Sequence, residues 1–255
     1  MKTGPVLRAL GRLASGARWL AAGALLSAVS AQADVFKEDF NSGVPSPLLI
    51  VGASPGFSVS FAGGDALMSQ AAGTGNGGVS ITATFRGLGD FETTVKANRQ
   101  GTGAAQFGIT LGFADAVSPW GDVFFGQYLG QAIWSNVGTG TTVWASNGIA
   151  TSVQDAVLRM RRTGNTLYAE ADVGSGFVLL NSYTSPVVSG PAQFSLFFSQ
   201  EFGITAANHG RLDDWQISAT SLVPEGTTAV YLALGLAALA GVGQRRKSAA
   251  CRSDA

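Results

Sequence analysis

Val157-Leu-Arg-Met-Arg-Arg-Thr-Gly164-Asn165-Thr-Leu-Tyr-Ala-Glu-Ala-Asp172, continued by Gly174-Ser-Gly176 and Phe177-Val-Leu-Leu180, is the stretch that decides the fold. Apolar and polar residues alternate with period two on both sides of Gly164-Asn165, which marks half-buried strands rather than a helix. Gly-Asn joins two such runs as a tight hairpin turn, and the glycines at 174 and 176 end the second run before a third begins. The stretch therefore predicts a three-strand antiparallel meander.

The same alternation recurs on both sides of it. Phe57-Ser-Val-Ser-Phe61, Val79-Ser-Ile-Thr-Ala83, Phe91-Glu-Thr-Thr-Val95, Phe107-Gly-Ile-Thr-Leu111-Gly-Phe113 and Phe194-Ser-Leu-Phe-Phe198 each read as a short strand with one buried face. No stretch between Asp34 and Leu222 has the spacing of an amphipathic helix. Glycine-rich segments such as Gly73-Thr-Gly75-Asn-Gly77-Gly78 and Gly138-Thr-Gly140 join strands to strands, so they predict hairpin loops and not phosphate cradles, which need a helix N-terminus. About a dozen short strands in one domain predict an all-β, two-sheet antiparallel sandwich.

The two ends of the chain have a different character. Lys2, Arg8, Arg12 and Arg18 precede an apolar run from Trp19 to Val29 and then Ala31-Gln32-Ala33, the pattern of a secretory signal peptide over residues 1–33. At the other end, Val223-Pro224-Glu225-Gly226 leads into an uncharged run over residues 227–243, closed by Arg245, Arg246 and Lys247. Seventeen helical residues span about 25 Å, just short of a bilayer's hydrocarbon core, and the cations after them hold that end on the cytoplasmic side. Three segments follow: 1–33, 34–222 and 223–255, with a short linker near residues 218–223.

The tail from Val223 to Lys247 resembles the PEP-CTERM sorting signal of Gram-negative bacteria, with Gly226 standing where that signal has a second proline. The resemblance implies recognition by an exosortase, a membrane transpeptidase-like enzyme. It further implies tethering at the inner membrane in transit and delivery to the cell surface or extracellular matrix, often in strains that make exopolysaccharide.

The central segment carries 14 acidic and 8 basic side chains, a net charge of −6, although the whole chain is formally neutral. Phosphate backbones need a basic face, so nucleic acid is excluded as a partner. Cys251 is the chain's single cysteine and lies beyond the basic cluster, so no disulfide staples the domain. His209 is the single histidine, placed by its Asn208 and Gly210 neighbours in a loop; a zinc site of several His or Cys ligands cannot be built. No Gly-x-Ser-x-Gly elbow is present for a serine nucleophile.

Phe36-Lys-Glu-Asp-Phe40-Asn-Ser-Gly near the start, the Leu158–Leu167 hairpin in the middle and Gly210-Arg-Leu-Asp-Asp-Trp-Gln-Ile217 at the close together resemble the concanavalin A-like lectin/glucanase jelly rolls. The resemblance covers most of the central segment. In many carbohydrate-binding members a structural calcium bridges the first and last strands. Glu38, Asp39, Asp213 and Asp214 stand at the matching places, and with loop carbonyls they offer the several oxygen ligands that calcium prefers.

The family also includes glucanases. Retaining hydrolysis requires two carboxylates about 5 to 5.5 Å apart. Among Glu38, Glu92, Glu170 and Glu201, only Glu170 has a second acid two residues on, Asp172, which makes this pair the candidate acid and nucleophile of a hydrolase. A solvated outer face is the competing role for the pair.

Between residues 120 and 144 lie Trp120, Phe124, Phe125, Tyr128, Trp134 and Trp144, interspersed with Asp122, Gln127, Gln131 and Asn136. Sugars present CH faces to aromatic rings and hydroxyls to amides and carboxylates, so Trp120, Tyr128, Trp134 and Trp144 are candidate ligand contacts. Neighbouring aromatics of opposite parity require that some belong to the core. Trp120, between Ser118-Pro119 and Gly121, is expected on an exposed loop. The expected function is a polysaccharide-binding or matrix component without catalytic activity, a glycoside hydrolase being the alternative.

Overall fold

The computed structural model describes residues 33–74, 76–99, 105–114, 118–128, 131–200 and 207–225, the side chains at 105, 127, 128, 131 and 200 excepted. Residues 1–32 of the expected signal peptide (1–33) and the tail beyond 225, with Arg245, Arg246 and Lys247, lie outside the described residues.

The described strands, fourteen in all, are β1 (Asp34–Glu38), β2 (Leu49–Ala53), β3 (Phe57–Ser60), β4 (Ala66–Gln70), β5 (Gly78–Asn98), β6 (Ala105–Phe113) and β7 (Pro119–Tyr128). They continue with β8 (Gln131–Thr139), β9 (Thr142–Ile149), β10 (Asp155–Thr163), β11 (Thr166–Asp172), β12 (Phe177–Thr184), β13 (Ala192–Gln200) and β14 (Asn208–Pro224). A single 3-10 turn, Pro186–Val188, is the helical element among the described residues. The deciding hairpin forms as its sequence dictates, Thr163 facing Thr166 across a turn in which Gly164 adopts φ +57°.

All pairings are antiparallel, and the sheet folds over into two layers because β5 belongs to both. Its first half pairs with β2 and β13; its second half pairs with β10 and β14. Layer one runs β12-β11-β10-β5-β14, with β1 and β4 on the far edge of β14 and β3 beyond β4. Layer two runs β2-β5-β13-β6-β7-β8-β9. The fold-over falls at Gly89, whose φ of +66° an L side chain adopts only with strain. The sequence reads Val79–Ala83 and Phe91–Val95 as two short strands, whereas the structure bends one continuous strand through Gly89.

Odd-numbered residues of β5 face inward in both halves, from Val79 and Ile81 through Phe91, Val95 and Ala97. They meet Phe107, Ile109 and Leu111 of β6, Leu158 and Met160 of β10, Phe194, Leu196 and Phe198 of β13, and Trp215 and Ile217 of β14. Each fully buried side chain of this kind contributes about 1.5–3 kcal/mol. Edge-to-face ring pairs such as Phe91–Phe194, 5.2 Å between centroids, add about 0.5–1.5 kcal/mol each. Trp215 is fully buried and satisfies its indole N–H on Thr93 Oγ1 at 3.0 Å.

One cation is built into this core. Arg162 is 1% exposed, and it donates to the carbonyls of Gly89, Val188 and Gly190 while its guanidinium lies 4.8 Å from the Phe91 ring centroid. Burial holds its pKa below the usual arginine value. The cation thus ties the β5 bend to the loop before β13.

β14 does not stop where a linker was expected. It runs through residues 218–223 to Pro224, with Val223 opposite Arg86 and Pro224 opposite Phe85. Glu225 then donates its N–H to Thr84 O at 2.8 Å, and its carboxylate accepts from Arg86 Nε at 3.1 Å and Gln193 Nε2 at 2.9 Å. Val223-Pro224-Glu225 is therefore part of the folded sheet. His209 likewise stands in β14 opposite Ser69, not in a loop.

Candidate functional site

Register places three rungs of side chains across the outer face of layer two. The central rung is polar: Thr82, Ser195, Thr110, Asp122, Asn136 and Ser146 stand opposite one another from β5 across β13, β6, β7 and β8 to β9. On one side of it run Phe197, Phe124 and Trp134, and on the other Trp120. Two residues of separation along each strand set the rungs one apart on the same face.

The central rung is hydrogen-bonded to itself. Thr82 and Ser195 share a bond of 2.9 Å, Asp122 Oδ1 accepts the Asn136 N–H at 2.8 Å, and Ser146 Oγ donates to Asn136 Oδ1 at 2.7 Å. Asp122 keeps part of its surface open yet stands in dense surroundings. Burial pushes its carboxyl up to about 7, the opposing bonds from Asn136 notwithstanding. Near neutral pH it exchanges between a donor and an acceptor-only group.

Glycines let the two indoles lie on the sheet. A Cβ at Gly148 would sit 3.0 Å from the Trp134 ring, and one at Gly138 would sit 3.0 Å from Trp120. Trp120 Nε1 donates to Gly140 O at 2.9 Å, which fixes the ring's edge. Phe124 packs edge-to-face on Phe197 at 5.8 Å, and Phe124 and Trp134 are buried apart from the sandwich core. Beyond Phe197 the face ends in a hollow of about 560 Å³ beside Gly52, Ser80 and Ser199.

Trp120 and Trp134 share this face, but Trp120 is half-buried in β7 and not on a loop. Trp144 is half-buried and stacks on Tyr183 at 5.3 Å, at the margin where β9 meets β12. The Tyr128 side chain lies outside the described residues. Phe125 is core. Thr82, Thr110, Ser146 and Ser195 were not singled out in the sequence, because their signal is alignment across strands that are distant along the chain.

Glu170 and Asp172 sit on layer one. Burial pushes the Glu170 carboxyl up, but hydrogen bonds from Arg161 and Arg159 outweigh it and hold the pKa below the usual carboxylate range. The contacts are Arg159 Nε at 2.6 Å and Arg161 Nε at 3.1 Å, both to Oε2. Asp172 Oδ1 accepts the N–H groups of Gly174 and Gly176 at 2.7 and 2.9 Å, closing the β11–β12 turn.

The four acids expected to hold calcium are each engaged within the chain. β1 and β14 do pair, with Glu38 opposite Trp215. Glu38 is buried, however, and its carboxylate accepts from the N–H groups of Phe40 at 3.0 Å and Ser46 at 2.8 Å. Asp39 accepts from Asn41 N, Asp213 from Asp214 N, and Asp214 pairs with Lys96. Among the described residues no group of three or more acids, histidines or cysteines is gathered for a metal.

No protein-family model matches the chain, and no curated protein does. Solved structures do. A putative β-glucanase from Mycobacterium abscessus superposes with a TM-score of 0.56 at 10% identity, covering 71% of this chain and 98% of its own. An immunostimulatory antigen and pseudo-β-1,3-glucanase of Mycobacterium tuberculosis gives 0.55 at 14%, covering 73% and 98%. The exoplasmic/lumenal domain of VIP36, in a form with calcium and Man3GlcNAc bound, gives 0.50 at 14%, covering 73% and 89%. At these identities the likeness is one of fold alone: the domain is a two-layer antiparallel jelly-roll sandwich, as these structures are.

Proposed function

We propose that this is an exported, non-catalytic polysaccharide-binding protein of a bacterial surface or matrix, and that the rungs on layer two are its binding face. One observation carries the reading: a hydrogen-bonded polar rung, Asp122–Asn136–Ser146, lies between indole and phenyl rings on one sheet face. A sugar ring lays its CH surface on Trp120, the half-buried indole beside the rung, and directs hydroxyls to the rung itself, which the buried Phe124 and Trp134 back on its other side. The lectin and glucanase-like relatives in fold support a glycan as the ligand class.

A non-catalytic role is supported by Glu170, which is held as an ion-paired carboxylate, and by Asp172, which closes a turn. Export rests on the sequence patterns at the two ends, with an exosortase-type enzyme as the processing partner and the apolar tail as the transient membrane tether. Incubating the full chain with a glycan array and assaying reducing-end release tests the reading. Retention of at least one polysaccharide with no release is expected; sugar release that disappears in Glu170→Gln would instead establish a hydrolase. Mass spectrometry of the protein shed into medium should find cleavage after Ala33 and loss of the tail.

A further inference from the structure

A second cavity lies away from the rung face. It is a groove of about 870 Å³ on the outer face of layer one, at the end where β5 finishes and β10 begins. Two rungs build it. Arg211, Asn98 and Asp155 stand opposite one another across β14, β5 and β10, and Asp213, Lys96, Val157 and Asp172 form the next rung. Val157 and the backbone at Ala97, Ala156 and Val173 complete its lining.

Its polar groups select the ligand. Asp65, Asp155, Asp172 and Asp213 line it against only Lys96 and Arg211. Arg211 Nη1 is already paired with Asp65 Oδ2 at 2.7 Å, and Lys96 with Asp214. An anion would meet uncompensated carboxylates, so uronates and phosphates are disfavoured. The acids are too dispersed to gather a cation. Hydroxyl groups suit them, since each donates to a carboxylate and accepts from an ammonium.

Two wall atoms add to this. Asn98 Oδ1 and Arg211 Nε are buried without a hydrogen-bond partner. A hydroxyl that drew either side chain outward would supply a bond the free protein lacks. Beyond Asp172, its strand neighbour Phe177 is 39% exposed, with the Arg159 guanidinium 3.6 Å from its ring centroid. One ring face is thus covered and preorganised, and the remainder is open to a sugar.

We propose that this groove is a second carbohydrate site, one that takes a saccharide without acidic groups. With the rung face on the opposite layer, it makes the protein a two-sided cross-linker of polysaccharide chains. The cross-linking half rests on the function proposed above; the groove does not. Two tethered contacts on one chain network raise retention by about 10²–10⁴ over either alone.

Hydrogen–deuterium exchange of the full chain, in a detergent without a sugar headgroup, tests it with mannotriose, laminaritriose, chitotriose and trigalacturonate as probes. At least one neutral trisaccharide is expected to slow exchange over residues 96–98, 153–157 and 211–213. Trigalacturonate should not. Asp155→Lys should weaken the effect tenfold or more, and Trp120→Ala should leave it intact. No slowing there by any neutral probe, or equal slowing by trigalacturonate, would overturn the groove. Slowing over 120–124 and 134–136 alone keeps the rung face and rejects the groove; slowing at the groove alone does the reverse.

Discussion

Asp122 and Asn136 face each other across β7 and β8, the Asp122 carboxylate accepting the Asn136 backbone N–H at 2.8 Å on the outer surface of the sandwich. An isolated carboxyl there would be a plain solvated acid. Here crowding and one fixed donor give it a charge state that changes near neutrality, and they lock the polar rung on which the aromatic rings border.

That charge state has a stability signature. Burial raises the Asp122 pKa from 3.8 in the unfolded chain to about 7 in the fold. The folded state therefore holds its proton more tightly, and stability falls as pH rises from about 4 to about 7, at up to about 1.36 kcal/mol per pH unit, before levelling. Thermal melts of wild type and Asp122→Asn from pH 4 to 8 should diverge in that window, the variant gaining relative stability. Parallel curves would contradict the assignment.

Trp120 is held by Gly140 O and lies against Gly138. Trp120→Ala should weaken polysaccharide retention about tenfold, with a smaller loss of stability, because the ring is only half-buried. Gly138→Ala should weaken retention as well, since its methyl group would press on both the ring and the Thr142 carbonyl. Affinity electrophoresis of the purified full chain reads both.

Arg162 serves three carbonyls that nothing else on its strand can reach. Arg162→Met keeps the volume but leaves those carbonyls without a donor, so a loss of about 2–4 kcal/mol is expected in urea unfolding. Arg162→Lys should recover less than half of it, because one ammonium cannot span Gly89, Val188 and Gly190 in the guanidinium's plane.

Glu170→Gln should leave glycan binding unchanged while removing about 1–3 kcal/mol of stability, by stranding Arg159 and Arg161. The wild-type carboxyl, held below the ordinary glutamate value of 4.5, contributes stability above that pH and loses it as pH falls through the lowered folded value. Acid melts of the variant should therefore be flatter below about pH 4.5 than those of wild type.

Period-two alternation and Gly164-Asn165 made the β10–β11 hairpin legible, because its information is local. The unity of β5 was not: Gly87 and Gly89 resemble a strand end, and only the pairing of both halves shows a bend. Trp120 and Trp134 share one face, yet Trp120 looked like a loop residue because Pro119 and Gly121 flank it, whereas Gly121 serves inward packing near Leu167 and Met160. The present partners of the calcium candidates were not legible either: Glu38, Asp39 and Asp213 accept from backbone N–H groups and Asp214 pairs with Lys96, which sequence spacing does not reveal.

The most direct test of the binding face is the polysaccharide affinity of the full chain in three forms: wild type, Asn136→Leu, and Tyr168→Ala on the other layer. Asn136→Leu keeps the backbone N–H that Asp122 accepts but removes the amide that accepts the Ser146 hydroxyl and faces the ligand, and should reduce binding tenfold or more, with Tyr168→Ala matching wild type. Equal binding by wild type and Asn136→Leu, both forms folded, would contradict the assignment of the rung face.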